Sequence, residues 1–170
     1  MQEKVLELAQ KVGFDLVGIA PAQLPKEDFE RYEGWVKKGR AGEMAYLERD
    51  PERRRAVTQI MPEAKAVICL GINYFRGPKE VGKGATGKVA RYAYGRDYHK
   101  IIEKMLKKLV RVLREEFPEQ QFRTYVDTGA VLEKAYAAAA GLGEIGQNTM
   151  LITPEFGSFV FFDLFGNWQY

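Results

Sequence analysis

The amphipathic stretch from about residue 98 to residue 117 is the feature that most limits how this chain can fold. Its apolar residues recur at helical spacing and lysines and arginines fill the other positions, so it predicts a long helix with one apolar face. Asp97 precedes it as a predicted N-cap, and Pro118 ends it. That face must be buried, and the continuous apolar run 64–73 predicts the central strand of a sheet that would bury it. The apolar positions are Ile101, Ile102, Met105, Leu106, Leu109, Val110 and Leu113.

The remaining predicted elements mix helices and strands without a repeated strand–helix–strand unit. Helical spacing predicts helices over 2–12, 26–38 and 131–140. Residues rich in β-formers predict strands over 14–20, 122–126, 149–153 and 158–162. The glycine-rich segment 77–87 predicts a loop, and 88–94 a short extended piece. We therefore predict an α+β fold, with a mixed sheet and flanking helices.

Composition and charge place the chain among ordinary globular domains. Its 170 residues fit one domain, and 26 Lys and Arg against 23 Asp and Glu give a net charge of +3, which permits an anionic partner without requiring one. No apolar run approaches the ~20 residues that cross a bilayer, and the N-terminus lacks an apolar signal region. We therefore expect no membrane attachment and a cytoplasmic location. One cysteine, Cys69, and one histidine, His99, exclude a metal site built from several of either residue within this sequence.

Asp127 is a candidate acid–base residue. It follows the predicted strand FRTYV and precedes a predicted helix. Ligands often bind where strands lead into helices, and a carboxyl group there can exchange a proton with a substrate. The alternative is a structural role, in which Asp127 accepts hydrogen bonds from backbone N–H groups as an N-cap. Spacing alone leaves both open.

The segment GLGEIG at 141–146 matches the pattern G-x-G-x-x-G. A dinucleotide-binding loop needs a strand before this pattern and a helix after it, whereas here a predicted helix precedes it and a strand follows. NAD binding is therefore not expected. The glycines either end the helix and form a loop, or allow a bulky cofactor to approach the backbone.

The segment RYAYGRDYH at 91–99 contains two arginines, three tyrosines and the histidine. Arginine and tyrosine suit phosphate contacts and base stacking in nucleic-acid recognition. The alternative is a capped helix start with aromatic side chains buried beneath it. The lysines and arginines of the helix that follows form a solvated face, which could also contact a nucleic-acid backbone.

Six segments, read together, occur in the same order as in one known family. The combination of RYAYGRDYH with VDTG, EKAYA, GLG, IG and NT is specific, and in it the chain resembles the epoxyqueuosine reductases. The resemblance implies an enzyme that removes the epoxide oxygen of epoxyqueuosine in a tRNA anticodon loop, with cobalamin and two 4Fe–4S clusters. It also implies a nitroreductase-like scaffold that helps to hold the corrin. The segments are FDLVGIAPA (14–22), GEMAYLERD (42–50), AKAVICLGINY (64–74), RYAYGRDYHK (91–100), YVDTGAVLEKAYAAAAGLGEIGQNTMLI (125–152) and GS (157–158).

The resemblance also implies roles for individual residues. Asp127 matches the family's proton donor to the opening epoxide. Three residues match the motif at the substrate and cofactor pocket: Arg91, Tyr98 and His99. Four match the glycine loop beside the cobalamin: Gly141, Gly143, Gly146 and Asn148.

The chain departs from the family pattern at several positions. Ala130 stands where the family usually has proline, and Glu144 and Gln147 stand where it usually has tryptophan and lysine. After residue 162 the family continues into a ferredoxin-like domain with cysteine runs, whereas this sequence reads DLFGNWQY. We expect a cobalamin-binding domain over 1–162 and a divergent tail over 163–170. The 4Fe–4S clusters of the family cannot be ligated by a chain with a single cysteine.

Three interpretations remain open. The chain is the N-terminal domain of an enzyme of this type and is inactive alone for lack of clusters. Alternatively, it is a binding module, either a stand-alone corrinoid carrier or a partner to a separate ferredoxin-like protein. The third interpretation is a truncated remnant that folds and binds nothing. If the usual continuation of the strand over 158–162 is missing, an exposed aromatic patch would favour self-association. Its members would be Phe159, Phe161, Phe162, Phe165 and Trp168.

Overall fold

The fold was obtained as a computed structural model, which describes residues 1–77, 87, 89–125 and 131–166. Short 3-10 turns span Pro51–Arg54, Val57–Gln59 and Arg91–Ala93. The helices are α1 (Gln2–Val12), α2 (Lys26–Lys37), α3 (Ala45–Glu48), α4 (Tyr98–Glu116) and α5 (Glu133–Ala139). The strands are β1 (Leu16–Pro21), β2 (Ala66–Asn73), β3 (Arg123–Tyr125), β4 (Glu144–Ile145), β5 (Leu151–Ile152) and β6 (Val160–Gly166).

The main sheet has four strands in the order β1-β2-β6-β3. The apolar run predicted as a central strand forms β2, which pairs with β1 on one side and β6 on the other. Helices lie on both faces of this sheet, so the predicted α+β class is confirmed. In the described part of the chain its strands all pair antiparallel rather than in mixed directions.

Side-chain alternation along β2 divides the core into two clusters. Ile68 and Leu70 point to the face covered by α1 and α4, whereas Val67 and Cys69 point to the face covered by α5. The predicted apolar face of α4 is confirmed. Its buried residues are Ile102, Leu106, Leu109 and Leu113. Among the described residues, none of the helices combines the length and apolarity needed to span a membrane.

The C-terminal strand extends beyond its predicted end at residue 162. It continues to Gly166 because its residues pair with both β2 and β3. Phe161 and Phe162 are half-buried, one in each core cluster, while Phe159 is exposed. Two of the predicted patch members are therefore partly covered, the Phe165 side chain and Trp168 lie outside the described part, and self-association stays a prediction.

Two other segments also differ from their predictions. The segment predicted as extended over 88–94 contains instead the 3-10 turn Arg91–Ala93. The predicted glycine loop contains β4, which pairs with β5 as a second, two-stranded sheet. The loop predicted over 77–87 lies mostly outside the described residues.

Tyr136 connects three parts of the core. Its fully buried hydroxyl donates to the carbonyl oxygen of Ala22 and accepts from the backbone N–H of Val57, both at 2.8 Å. Burial raises the pKa of Tyr136 to about 12, so the hydroxyl stays protonated at neutral pH. This single group thus links α5 to the segment after β1 and to the turn Val57–Gln59.

We expect Tyr136→Phe to lower the free energy of unfolding by about 1–3 kcal/mol, because it leaves a buried N–H and a buried C=O without their partner. Urea denaturation measures this difference. The matched control is Tyr46→Phe, whose side chain is 60% exposed and which should change stability by less than about 0.5 kcal/mol. An equally small effect at Tyr136 would show that the hydroxyl does not stabilise the fold.

Candidate functional site

A cavity of about 390 Å³ lies where β2 ends and α4 begins. Its apolar wall comes from Ile72 of β2, Phe161 of β6 and Ile102 of α4. This volume lies toward the lower end of the range for small-molecule sites, about 300–1,000 Å³. Its polar rim combines arginines with tyrosines: Arg76, Arg91, Arg96, Tyr74, Tyr92, Tyr94 and Tyr98.

A row of packed aromatic rings runs along one wall of the cavity. The ring of Phe161 lies 3.9 Å from that of Tyr98, at an interplanar angle of 7°, and 4.6 Å from that of Tyr74. The row continues through His99, whose ring centroid is 4.0 Å from that of Tyr98. Burial raises the pKa of Tyr74, so its hydroxyl remains a donor at neutral pH. The stacking holds these flat surfaces in fixed orientations.

Arg91 is held at the rim of this cavity by two contacts. Its Nη1 donates to the carbonyl oxygen of Gly77 at 2.8 Å, and its guanidinium carbon lies 4.6 Å from the centre of the Phe75 ring. A guanidinium carries five N–H donors, and one of them is used in the described part of the structure. Arg91 can therefore still bind a phosphate, carboxylate or hydroxyl oxygen of a ligand.

Asp97 fixes both the start of α4 and the ring of His99. Its Oδ1 accepts from the backbone N–H of His99 at 3.0 Å and lies 3.0 Å from the ring Nδ1. These hydrogen bonds hold the pKa of Asp97 below its usual range, so it is a carboxylate at neutral pH. The carboxylate favours a proton on Nδ1 of His99. The predicted N-cap is therefore confirmed.

The structure brings together three of the predicted site residues. Arg91 and Tyr98 line the cavity, and His99 stacks on Tyr98. Sequence reasoning did not assign Tyr74 and Phe161 to this site. Tyr74 directly follows the apolar strand, which is the signal that could have placed it at a strand end.

Asp127 lies outside the described residues, so its distance from the cavity is not described. The chain is described up to Tyr125, where β3 ends beside β6.

The predicted glycine loop packs elsewhere. Gly141 ends α5 with φ 74°, and Leu142 packs into the core cluster on the α5 face. The cavity lies on the other side of the sheet, because its lining residue Phe161 packs against the cluster on the α4 face. Gly143 and Gly146 approach β5 closely, and Asn148 Oδ1 accepts from the N–H of Met150 at 3.1 Å. Contacts within the chain thus account for these residue types.

Cysteine-ligated metal clusters do not fit this chain. Cys69 is fully buried at the centre of the sheet, and burial raises the pKa of its thiol to about 12. A metal-binding thiolate would require the opposite environment. Across the ranges that the structure describes, no group of three or more His, Cys, Asp or Glu residues could hold a metal ion.

Comparisons with known proteins agree in both sequence and fold. The family pattern described as "Epoxyqueuosine reductase QueG, DUF1730" matches residues 54–128. The epoxyqueuosine reductase of Gloeobacter violaceus is 47% identical over 154 residues, which cover 90% of this chain and 47% of that protein. That of a Synechocystis species is 40% identical over 147 residues, covering 85% of this chain and 50% of that protein. The chain therefore spans about half the length of the curated relatives it matches.

Solved structures show the same fold. A crystal structure of an epoxyqueuosine reductase with an epoxyqueuosine-modified tRNA-Tyr stem loop has a TM-score of 0.87 and 26% identity, and the match covers 96% of this chain and 44% of that one. The epoxyqueuosine reductase of Streptococcus thermophilus has a TM-score of 0.86 at 22% identity, covering 100% of this chain and 49% of that one. At that identity the second likeness speaks for the fold alone.

Proposed function

We propose that this chain takes part in reducing epoxyqueuosine to queuosine in a tRNA anticodon loop. It belongs to the epoxyqueuosine reductase family and spans about half the length of the curated members. We further propose that the cavity beside α4 receives the modified nucleoside. This proposal depends on one observation: a cavity of about 390 Å³ combines a wall of packed aromatic rings with the guanidinium of Arg91. The relative solved with a modified tRNA stem loop has the same fold, which supports this assignment.

The chemistry of the cavity suits an unpaired nucleoside. Proteins that recognise RNA loops stack splayed bases on aromatic rings and arginine planes, and hydrogen-bond the base and sugar edges. The exposed rings of Tyr92 and Tyr94 at the rim offer flat surfaces, and Arg91 offers donors for a phosphate or a hydroxyl group. The cavity would thus hold the nucleoside in one orientation while the RNA backbone lies outside it.

Asp127 is the residue that we propose as proton donor. Removing an epoxide oxygen as water leaves an alkene and consumes two electrons and two protons. Opening the first C–O bond places negative charge on the oxygen, and a carboxylic acid nearby can neutralise that charge by donating its proton. This role rests on the match of Asp127 to the family motif.

Cobalamin is the cofactor implied by the resemblance, and when bound it would supply the electrons that open the epoxide. A cavity of about 390 Å³ does not have room for both a corrin and a nucleoside. We therefore propose that Arg91, Tyr98 and His99 form one wall of a shared site rather than a closed pocket. Cobalamin contacts remain a prediction for the four residues of the glycine loop, which are Gly141, Gly143, Gly146 and Asn148.

The electrons must reach this site from outside these residues. The single cysteine of the sequence cannot ligate a 4Fe–4S cluster. We propose a ferredoxin-like electron donor that lies outside these residues, and we expect the chain alone to bind substrate without reducing it.

The test combines the purified chain, cob(II)alamin and an epoxyqueuosine-modified RNA stem loop. We expect a saturable change in the cobalamin absorbance and EPR spectra, RNA binding, and no queuosine by mass spectrometry. Robust reduction when a chemical reductant replaces that donor, lost in Asp127→Asn, would contradict the expectation that the chain alone does not reduce the substrate. Cobalamin binding without RNA binding would favour a corrinoid-binding module, and binding of neither would favour an inactive remnant.

A further inference from the structure

The solvent side of α4 carries a continuous row of exposed cations. Their sequence spacing alternates between four and three residues, which places them along one side of the helix. At 1.5 Å per residue the row is about 21 Å long. We call it the basic row, and its members are Lys100, Lys104, Lys107, Arg111 and Arg114.

The basic row is largely unneutralised. Lys107 pairs with Glu103 at 2.6 Å, the charge of Lys100 acts on Asp97, and in the described structure the other three cations form no ion pair. The other long helices show a different arrangement, in which Glu7 pairs with two lysines of α1, and α2 contains the pair Lys37–Glu33. Neutralisation one turn away is thus usual in this protein, and α4 departs from it.

The basic row begins at the rim of the candidate site. Lys100 directly follows His99, and Lys104 lies one turn beyond Ile101, which lines the cavity. At the other end, three cations and two carboxylates line a groove of about 580 Å³ between α4 and β3, and its charge is therefore positive on balance: Lys107, Arg111, Arg114, Glu103 and Glu115. A ligand that enters the cavity and extends along α4 would therefore meet positive charge over the length of the helix.

We propose that the basic row binds the sugar–phosphate backbone of the RNA stem that carries the substrate loop. This inference rests on the proposed function, because it places the loop nucleoside in the cavity and the stem along α4. Unpaired lysine and arginine side chains in solvent bind phosphates through charge and release of counterions, without reading sequence. Recognition would then divide between the cavity, which selects the modified nucleoside, and the row, which supplies affinity for any stem.

The test compares a triple variant of the basic row with a charge-matched control. The row variant is Lys104→Gln, Arg111→Gln and Arg114→Gln, which breaks none of the described ion pairs. The control removes three exposed cations outside α4 that form no described ion pair, by Lys38→Gln, Arg40→Gln and Arg49→Gln. Urea denaturation first establishes that both variants fold as the wild type does.

The probe is a short fluorescent RNA stem loop with guanosine at the substrate position, titrated at several KCl concentrations. We expect the row variant to bind about tenfold or more weakly at moderate salt. The slope of log affinity against log salt should fall by about two, since each lost phosphate contact removes about 0.7–0.9. The RNA affinity of the control should stay within about twofold of that of the wild type, because salt screens exposed charges that lie far from the bound RNA.

Two outcomes overturn the inference while leaving the proposed function in place. Unchanged RNA binding by the row variant would show that the row serves another partner, such as an acidic protein. An equal loss in the control would show that net charge, rather than this row, governs binding. If the wild-type chain binds neither this RNA nor its epoxyqueuosine-modified form, the proposed function fails together with the inference.

Discussion

Gly143→Ala is expected to lower the free energy of unfolding by about 3 kcal/mol, because the added methyl group has no room. A Cβ atom at this position would lie 2.3 Å from the carbonyl oxygen of Ile152 and 3.1 Å from the Cα atom of Thr153. Both atoms belong to the backbone, so no side-chain rotation relieves the overlap. The β4–β5 pair would have to separate, and equilibrium urea denaturation would measure the loss.

The matched control adds the same methyl group where there is space for it. Gly34 lies within α2, and its Cβ would have no neighbour within 4 Å. Because alanine favours a helix over glycine, Gly34→Ala should raise stability by about 0.5–1 kcal/mol. The two substitutions thus have opposite expected signs. A Gly143→Ala variant as stable as the wild type would show that β5 does not constrain the glycine loop.

Gly143 also illustrates what the sequence could and could not predict about this loop. The pattern GLGEIG allowed either a helix-ending loop or a backbone surface for a cofactor. The described contacts account for the first, since Gly141 ends α5 in the left-handed region and Gly143 touches the backbone of Ile152. Periodicity could not reveal β4 (Glu144–Ile145), because a two-residue strand is specified by its partner rather than by its own pattern.

The second large effect is expected at Arg91. We expect Arg91→Ala to weaken binding of an epoxyqueuosine-modified RNA stem loop about ten- to hundredfold. A hydrogen bond to a charged group is worth about 1.5–3 kcal/mol, and each 1.4 kcal/mol changes the affinity tenfold. The substitution also removes the cation that lies 4.6 Å from the centre of the Phe75 ring. Fluorescence anisotropy at constant salt measures the affinity.

Two controls separate geometry from charge at this position. Arg91→Lys keeps the positive charge but loses the planar fork, so its affinity should fall between those of the wild type and Arg91→Ala. Arg40→Ala removes one exposed cation away from the cavity and should change the affinity by less than about twofold. If Arg91→Ala and Arg40→Ala behave alike, Arg91 does not contact the bound RNA.

The sequence correctly predicted the long helix α4 and the central strand β2. The amphipathic period predicted α4, and the apolar run predicted β2, because burial of a whole face leaves a strong pattern. The motif RYAYGRDYH correctly indicated the N-cap Asp97. It did not indicate that Phe161, far along the chain, stacks on Tyr98. That contact depends on the position of β6 next to β2, which a pattern read along one strand does not specify.

The central claim is that the cavity beside α4 recognises the modified nucleoside. The most direct test is the ratio of affinities of the wild-type chain for two RNA stem loops that differ in one nucleoside, epoxyqueuosine or guanosine. We predict about tenfold preference for the epoxyqueuosine form, a difference of about 1.4 kcal/mol, and loss of this preference in Arg91→Ala. Equal affinity of the wild-type chain for both RNAs would contradict the assignment of this cavity.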